Sequence, residues 1–171
     1  MVKFTHLHTH SHYSLLDGMS KIPDMVEKAK SIGAEAIALT DHGNLYGAIE
    51  FYKACKAAGI KPILGVEAYI APGDHTDKSA TVNEDKYYHL ILLVKNDVGW
   101  RNLIELVTES YMHGFYYRPR MDKAMLREKH EGLIALSGCL GGELAQALFK
   151  GSNEQAEKIA LEYQDIFGKD N

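Results

Sequence analysis

The sequence predicts an α/β protein with a mainly parallel sheet, either doubly wound or closed as a βα-barrel. Short apolar segments that suit strands alternate along the chain with amphipathic segments that suit helices. One of these segments, residues 88–94, is apolar on both faces, as is typical of a strand covered by helices on both sides. With 171 residues, the chain is long enough for one domain with a substantial core.

Turn and capping residues set the expected boundaries of the first elements. Pro23 suits the first turn of a helix, and Gly33 and Gly59 suit the ends of helices. Residues 71–86 are polar and are expected to form the one long loop. The predicted elements before that loop are a strand at 4–8, a helix at 23–32, a strand at 36–40, a helix at 45–58 and a strand at 62–70.

The second half continues the alternation after the long loop. Asp122 is expected to cap a short helix, and Ser152 with Gln155 forms a capping box for the last helix, which Gly168 ends. An aromatic and basic loop is expected at 114–120. The other predicted elements are a strand at 88–94, a helix at 97–111, a strand at 133–137 and a helix after Gly142.

Composition favours a globular protein of the cytoplasm. The chain is 46% hydrophobic and 25% charged, and no apolar run approaches the roughly 20 residues of a membrane span. Two widely separated cysteines form no spacing motif, which fits a reducing compartment. The net charge of −4 lacks the basic surplus of a strong nucleic-acid binder, so any DNA contact must be local or supplied by another part of a longer protein.

Residues that commonly bind metals cluster at the predicted strand ends. In an extended chain His8 and His10 point to the same side, and Asp17 follows in the next turn. Strand ends of a parallel α/β fold meet on one face, where barrel enzymes place their active sites. The full set of candidates is His8, His10, Asp17, His42, Glu67, His89 and Cys139.

The residue types in this set indicate zinc or a neighbouring first-row metal rather than magnesium or calcium. A carboxylate such as Glu67 can bridge two ions, and paired ions can clamp a phosphoryl centre and activate water. Taken singly, each residue has an ordinary explanation: the His-x-His pair could lie on an exposed strand, and Glu67, His89 or Cys139 could be structural. Their common placement at strand ends favours metal binding and phosphoester hydrolysis.

Other polar residues receive lesser roles. His6 is expected to support the site without binding metal, and Asp41 is expected to be a supporting or structural residue rather than a ligand. Residues 116–120 could stack bases and pair with phosphates, or could form an ordinary loop with two exposed arginines. The remaining histidines, expected at the surface, are His12, His75, His113 and His130.

The sequence closely resembles the PHP (polymerase and histidinol phosphatase) domain at the N-terminus of bacterial DNA polymerase III alpha subunits. The resemblance covers essentially the whole chain, and the segments at 15–18, 44–47 and 116–120 look specific to the polymerase branch. The matching segments are His6-Leu-His-Thr-His-Ser11, Tyr13-Ser-Leu-Leu-Asp-Gly18, Leu39-Thr-Asp-His-Gly-Asn-Leu-Tyr-Gly47, Ile60-Lys-Pro-Ile-Leu-Gly-Val-Glu67, Tyr116-Tyr-Arg-Pro-Arg120 and Ser137-Gly-Cys-Leu-Gly-Gly142.

This resemblance implies a distorted (βα)7 barrel with up to three zinc or manganese ions, in which the seven candidates are ligands and Glu67 bridges two ions. We assign catalytic roles to Glu67, His10 and Asp17. The implied activities are phosphodiester hydrolysis, as a 3′–5′ exonuclease, and nucleotide transfer by a DNA-directed DNA polymerase in the full-length chain. The implied partners are DNA, the rest of the polymerase chain and other replisome subunits, with no membrane.

One family motif is missing, because no Asp-x-His follows Cys139. Residues 1–171 are therefore expected to be the N-terminal part of a PHP domain within a longer polymerase chain, with an incomplete barrel and weak or no activity alone. Two alternatives remain open. One is a free-standing phosphatase acting on a small phosphate ester, and the other is a non-catalytic scaffold for a polymerase and a proofreading partner.

Overall fold

In a computed structural model the protein is described over residues 4–15, 17–79 and 87–171. The chain divides into two units, Met1–Glu67 and Ala68–Asn171. The boundary falls inside a strand, so each unit is described by itself.

Two helices and a pair of parallel strands build the first unit. Helix α1 spans Ile22–Ser31 and helix α2 spans Ala48–Ala58. Strand β1 (Ala36–Leu39) runs parallel to the start of β2 (Lys61–Ile70), with Ala36 opposite Lys61 and Leu39 opposite Leu64. The elements meet in one apolar core formed by Ile22, Val26, Ala29, Ile37, Leu39, Phe51, Cys55 and Ile60.

The N-terminal segment lies along β1. The strand predicted at residues 4–8 is wrong, because these residues form no regular strand. His6 accepts a backbone hydrogen bond from Ala38, and Thr9 accepts one from Thr40, both at 2.9 Å. The Thr40 hydroxyl also accepts from the Thr9 amide at 3.0 Å. Widely spaced backbone bonds and side-chain bonds thus replace a continuous ladder here.

The second unit surrounds the end of β2 with four further strands. Among the described residues the strand order is β4-β5-β2-β3-β6. The elements, in chain order, are β3 (Tyr88–Val94), α3 (Asp97–Met112), β4 (Phe115–Tyr116), β5 (Arg118–Met121), α4 (Lys123–Lys129), β6 (Leu133–Leu136), α5 (Glu143–Phe149) and α6 (Asn153–Phe167).

The sheet corrects the expectation of five roughly parallel strands. The described residues contain six strands; β1–β2 and β2–β5 are parallel, but β3–β6 and β4–β5 are antiparallel. The predicted loop at 114–120 is in fact the β4–β5 hairpin, whose turn lacks the Asn-Gly or Asp-Gly signal of common hairpins. An apolar run indicates that a strand is buried but not in which direction the strand runs. The antiparallel pairing of β3 with β6 and of β4 with β5 therefore could not be predicted from the sequence.

The α/β class and the predicted helix caps are confirmed. Asp122 accepts from the Met125 amide at 2.8 Å and Ser152 accepts from the Gln155 amide at 3.3 Å, so both begin their helices as expected. Gly59 ends α2 with a left-handed φ of 75°. In the part of the chain that the structure describes, no helix combines the length and apolar character needed to cross a membrane.

Candidate metal centre

His8, His10 and Glu67 bring three ligand atoms together in the first unit. The Nε2 atoms of His8 and His10 are 3.0 Å apart. Oε2 of Glu67 lies 3.3 Å from the first and 3.1 Å from the second. The Glu67 side chain is 1% exposed, so a buried carboxylate faces two imidazole nitrogens.

The size of this triangle fits a metal ion. Ligand atoms about 2.0–2.1 Å from a common ion lie about 3.3 Å apart in tetrahedral and about 2.9 Å apart in octahedral geometry. The observed separations of 3.0, 3.1 and 3.3 Å fall within these limits. Two imidazoles and a carboxylate are also a donor set that zinc and its first-row neighbours prefer.

His42 extends the group on the other side of Glu67. Its Nδ1 lies 2.9 Å from Oε2 of Glu67, and its Nε2 lies 2.6 Å from Oδ2 of Asp17. The hydrogen bond with Glu67 raises the pKa of His42; partial burial acts against this, and the bond and charge of Asp17 add to the rise. All five candidates of the first unit are therefore connected through one carboxylate and one imidazole.

Backbone hydrogen bonds fix His42 opposite Glu67. After β1 the chain continues beside β2, where the Glu67 amide donates to Asp41 at 3.1 Å and the Gly43 amide donates to Glu67 at 2.9 Å. His42 and Glu67 form a parallel bridge between these bonds. The predicted meeting of strand-end residues on one face is thus seen for His42 and Glu67.

A buried network orients His10. Ser14 donates its hydroxyl proton to Asp41 at 3.0 Å and accepts from the His42 amide at 3.0 Å. Since that hydroxyl has only one proton, its 3.0 Å contact with Nδ1 of His10 must be donated by the imidazole. The lone pair of His10 is therefore on Nε2, which is the atom beside His8 and Glu67.

Asp41 holds the whole turn from a buried position. Its carboxylate is acceptor for the Ser11 amide at 2.6 Å and the Ser11 hydroxyl at 2.8 Å, besides Ser14. The expected structural role of Asp41 is therefore confirmed. The roles of Ser11 and Ser14 were not predicted, because their only signal in the sequence is two small hydroxyl residues between His10 and Asp17.

The turn also separates His12 from its neighbours in the histidine run. Ser14 donates its amide to Ser11 at 2.9 Å, and the ring of His12 lies 4.3 Å from that of Tyr13. His12 therefore packs on an aromatic side chain and is half-buried, whereas a surface position had been predicted. His6 packs against Phe4 with ring centres 4.9 Å apart, and its expected supporting role in the site stays a prediction.

The second unit contains the other two candidates, His89 and Cys139. Sγ of Cys139 lies 3.5 Å from Nδ1 of His89 and accepts from the Gly141 amide at 3.4 Å. The loop after β6 wraps around His89, whose amide donates to Gly141 at 2.9 Å. Gly142 is required there, because a Cβ would lie 2.2 Å from the Ser137 carbonyl oxygen. The other cysteine, Cys55, is buried in the core of the first unit, and burial raises its pKa to about 11.

Of the histidines predicted to lie at the surface, His75 does not lie there. It is largely buried, and its Nδ1 lies 2.5 Å from Asp122, the carboxylate that caps α4. Asp74 lies nearby, with 3.8 Å between its Oδ1 and the same imidazole nitrogen. His113 and His130 are both exposed, as predicted, and Nδ1 of His130 lies 2.8 Å from the Arg127 carbonyl oxygen.

The two arginines of the β4–β5 hairpin, Arg118 and Arg120, differ in their exposure to solvent. Arg120 is only 2% exposed and donates to the carbonyl oxygens of Gly114, His75 and Asp77. Arg118 is exposed. The expectation of two exposed arginines in this segment is therefore wrong for Arg120, which holds the hairpin in place.

Comparison with known proteins identifies relatives over the whole chain. The PHP domain family model matches residues 6–171. The DNA polymerase III alpha subunit of Treponema pallidum is 50% identical over 99% of this chain, and that of Aquifex aeolicus is 47% identical over 98%. The chain spans only 14% and 15% of the length of these two relatives.

A solved structure of a metal-dependent phosphoesterase from Bifidobacterium adolescentis shows a weaker likeness. It is 20% identical, with a TM-score of 0.45, over 64% of this chain and 34% of its own. A likeness at this level decides nothing about the fold or the site.

Proposed function

The chain belongs to the PHP domain family, and from this membership we propose that it holds divalent metal ions for the hydrolysis of phosphodiester bonds. The observation that supports this most strongly is the position of Glu67. Its Oε2 atom lies within 3.3 Å of nitrogen atoms on His8, His10 and His42. A buried carboxylate oxygen among three imidazoles supports a role for Glu67 as a ligand that two ions would share.

His8, His10 and Glu67 would hold one ion. His42 would be a ligand of a further ion, either beside Glu67 through its Nδ1 or beside Asp17 through its Nε2. Within the second unit we propose His89 and Cys139 as further metal ligands, because their 3.5 Å contact is of the size that a shared ion requires. A bound zinc or manganese ion supplies Lewis-acid activation of water and of the phosphoryl group.

The chain's own residues prepare the centre for that chemistry. The Ser14 hydroxyl keeps the Nδ1 proton on His10, so that Nε2 stays available as a ligand. Asp17 is more than half exposed, at 55% of its side chain, so its carboxylate can meet water and substrate while its Oδ2 contacts His42. We therefore assign the catalytic contacts to Glu67, His10 and Asp17.

We further propose that the chain is the N-terminal PHP region of a DNA polymerase III alpha subunit in the cytoplasm, where the hydrolytic activity acts as a 3′–5′ exonuclease. Identities of 50% and 47% to such subunits support this assignment. The full-length protein would then be a DNA-directed DNA polymerase whose partners are DNA and other replisome subunits. The substrate of this centre would be single-stranded DNA.

A nuclease assay tests the proposal. A single-stranded oligonucleotide labelled at its 5′ end should be shortened from its 3′ end with manganese or zinc, and a chelator should stop the reaction. We expect slow turnover by this chain and faster turnover by the chain extended to the length of its relatives. Glu67→Gln keeps the side-chain shape and should abolish cleavage in both.

Model substrates separate this proposal from phosphatase activity. Bis(p-nitrophenyl) phosphate, a diester, should be hydrolysed faster than the monoester p-nitrophenyl phosphate. A preference for the monoester would point to a phosphatase. The absence of metal-dependent hydrolysis in both the short and the extended chain would point to the scaffold role.

A further inference from the structure

We propose that the exposed side chains of the β4–β5 hairpin, Tyr117 and Arg118, bind single-stranded nucleic acid, with the ring stacking on a base and the guanidinium pairing with a phosphate. This inference rests on the proposed function, since it names residues outside the metal centre that hold the same class of substrate. The surface formed by these two side chains is called the hairpin tip below.

Among the residues that the structure describes, Arg118 is a cation without a carboxylate partner. It is exposed, and no acidic side chain of the described residues lies within ion-pair distance of it. Its guanidinium lies 5.9 Å from the centre of the Tyr69 ring. An arginine that is stacked on an aromatic face keeps its N–H groups directed outwards for a bidentate contact with phosphate.

The position of Arg118 also places a phosphate contact close to a candidate metal ligand. The ring of Tyr69, which is 6% exposed, meets the edge of the His89 ring with centres 5.3 Å apart. Tyr87 packs against both rings, at 4.9 Å from Tyr69 and 6.0 Å from His89. A rigid aromatic group therefore connects Arg118 to His89 within the second unit.

Tyr117 presents its ring from an unusual backbone position. Its φ of 60° is the only positive value among the described residues other than glycine, and bulky side chains rarely adopt it. The side chain is 60% exposed, and its ring meets that of Tyr116 edge-on at 4.6 Å. A left-handed residue at a hairpin turn is usually glycine or asparagine, so the conformation of the turn does not by itself account for a tyrosine here.

Arg120 anchors the base of the hairpin and so keeps the tip rigid. Its guanidinium lies 5.1 Å from the centre of the Tyr116 ring and donates to three backbone carbonyl oxygens. Because Arg120 holds the hairpin through buried contacts, little backbone freedom is lost when the tip binds a ligand.

The combination of ring and cation indicates the ligand. A phosphate alone would need only the arginine, and an apolar peptide would need only the ring. A single strand offers an accessible base face next to a phosphate at every nucleotide, whereas a duplex buries its base faces by stacking. The chain's net charge of −4 makes this local contact more important, because general attraction to DNA is weak.

Fluorescence anisotropy with labelled oligothymidylate tests the hairpin tip directly. The measurement is made on this chain with a chelator present, so that no cleavage occurs and the metal centre plays no part. Arg118→Ala should weaken binding by about three- to tenfold and reduce the salt slope by roughly 0.7. Tyr117→Asn removes the ring but tolerates a left-handed backbone, and should weaken binding by about fivefold or more.

Arg101→Ala is the matched control, because Arg101 is an exposed arginine on α3 for which no ion pair is seen among the described residues. Binding by this variant should stay within about twofold of the original chain. Arg118→Lys should restore part of the affinity, which would exclude misfolding as the cause. Equal losses in Arg118→Ala and Arg101→Ala, or tighter binding of duplex than of single strand, would overturn the inference.

The two proposals fail in different experiments. If the original chain does not bind oligothymidylate but still cleaves it with manganese, the hairpin tip inference is wrong and the hydrolytic function stands. If binding depends on Tyr117 and Arg118 but no cleavage occurs with any metal, the tip stands and the hydrolytic function is wrong.

Discussion

Ser14 joins three parts of the candidate metal centre through one hydroxyl group. It contacts the His10 imidazole, the Asp41 carboxylate and the His42 amide, each at 3.0 Å. Ser14→Ala should therefore lower metal affinity about 10- to 100-fold, as is usual when a ligand loses its orienting hydrogen bond. Titration with zinc against a coloured chelator would measure this, and an unchanged affinity would show that His10 does not depend on Ser14.

The four alternating histidines at the N-terminus should divide into ligands and bystanders. His8→Ala and His10→Ala each remove a nitrogen of the central triangle, so both should lose bound metal. His12→Ala is the control from the same run, because its ring packs on Tyr13 instead. Elemental analysis of the purified variants, with circular dichroism as a folding check, measures the effect. An equal loss in folded His12→Ala would contradict the assignment.

His89→Ala extends this test to the second unit. The imidazole contacts Sγ of Cys139 at 3.5 Å, and its substitution should lower the metal content although the neighbouring residues of β3 are apolar. If folded His89→Ala keeps its full metal content, His89 is a packing residue and not a ligand.

Residue types and strand ends were enough to find Glu67 and His42, because hydrogen bonding between adjacent strands makes such residues neighbours. The link between Ser14 and Asp41 could not be predicted in the same way. These residues are 27 positions apart, and a long-range hydrogen bond leaves no periodic pattern. The role of Arg120 was missed for a related reason, since exposure of an arginine depends on carbonyl oxygens that distant segments supply.

At the scale of elements, the Asp122 cap makes α4 sensitive to acid. Burial acts to raise the pKa of Asp122, but hydrogen bonds from the Met125 and His75 amides and from the His75 side chain outweigh it, so the pKa is lowered. A carboxyl with a lowered folded pKa stabilises the fold above its ordinary value of 3.8. That stability should disappear as the pH falls from there through the folded pKa.

Two substitutions distinguish the effect of the Asp122 charge on stability from the effect of its hydrogen bond as a helix cap. Asp122→Asn keeps a capping side chain and should remove much of the acid sensitivity, whereas Asp122→Ala should also cost about 1 kcal/mol at neutral pH. Urea unfolding at several pH values measures both effects. If the original chain and Asp122→Asn lose stability in parallel between neutral pH and pH 3, another group is responsible.

Element types followed from the sequence more reliably than element directions. Apolar periodicity and capping residues gave every described helix, but β6 runs antiparallel to β3 although a helix-rich segment joins them. The hairpin of β4 and β5 was also missed, since its turn uses Tyr117 in a conformation that sequence rules assign to glycine or asparagine.

At the scale of the whole molecule, the division into two units has no signal in the composition because the boundary lies within β2. Lys61 to Leu64 pair with β1, whereas Tyr69 and Ile70 pair with β5. A continuous strand carries no linker residues, so a search for proline-, glycine- or serine-rich segments finds nothing there. Glu67, the last residue of the first unit, is also the residue on which the candidate centre depends.

The stability of the whole chain should be linked to metal. An ion bound between the buried Glu67 carboxylate and the nearby imidazoles satisfies these ligand atoms together and stabilises only the folded state. At a zinc concentration about 100 times the dissociation constant this gives about 2.7 kcal/mol, which corresponds to a rise of about 5–10 °C in Tm for a chain of this size.

Differential scanning calorimetry with zinc, manganese or chelator measures this shift in Tm. The same measurement with magnesium tests whether the ligands are imidazole nitrogens as well as oxygens. Magnesium should give little or no rise, because its preference for oxygen ligands does not suit imidazoles. The double substitution His8→Ala/His10→Ala should remove most of the zinc effect while leaving the Tm in chelator almost unchanged, since both side chains are partly exposed and outside the core. A zinc-induced rise of equal size in that variant would place the ion elsewhere, because no other change was made to the chain.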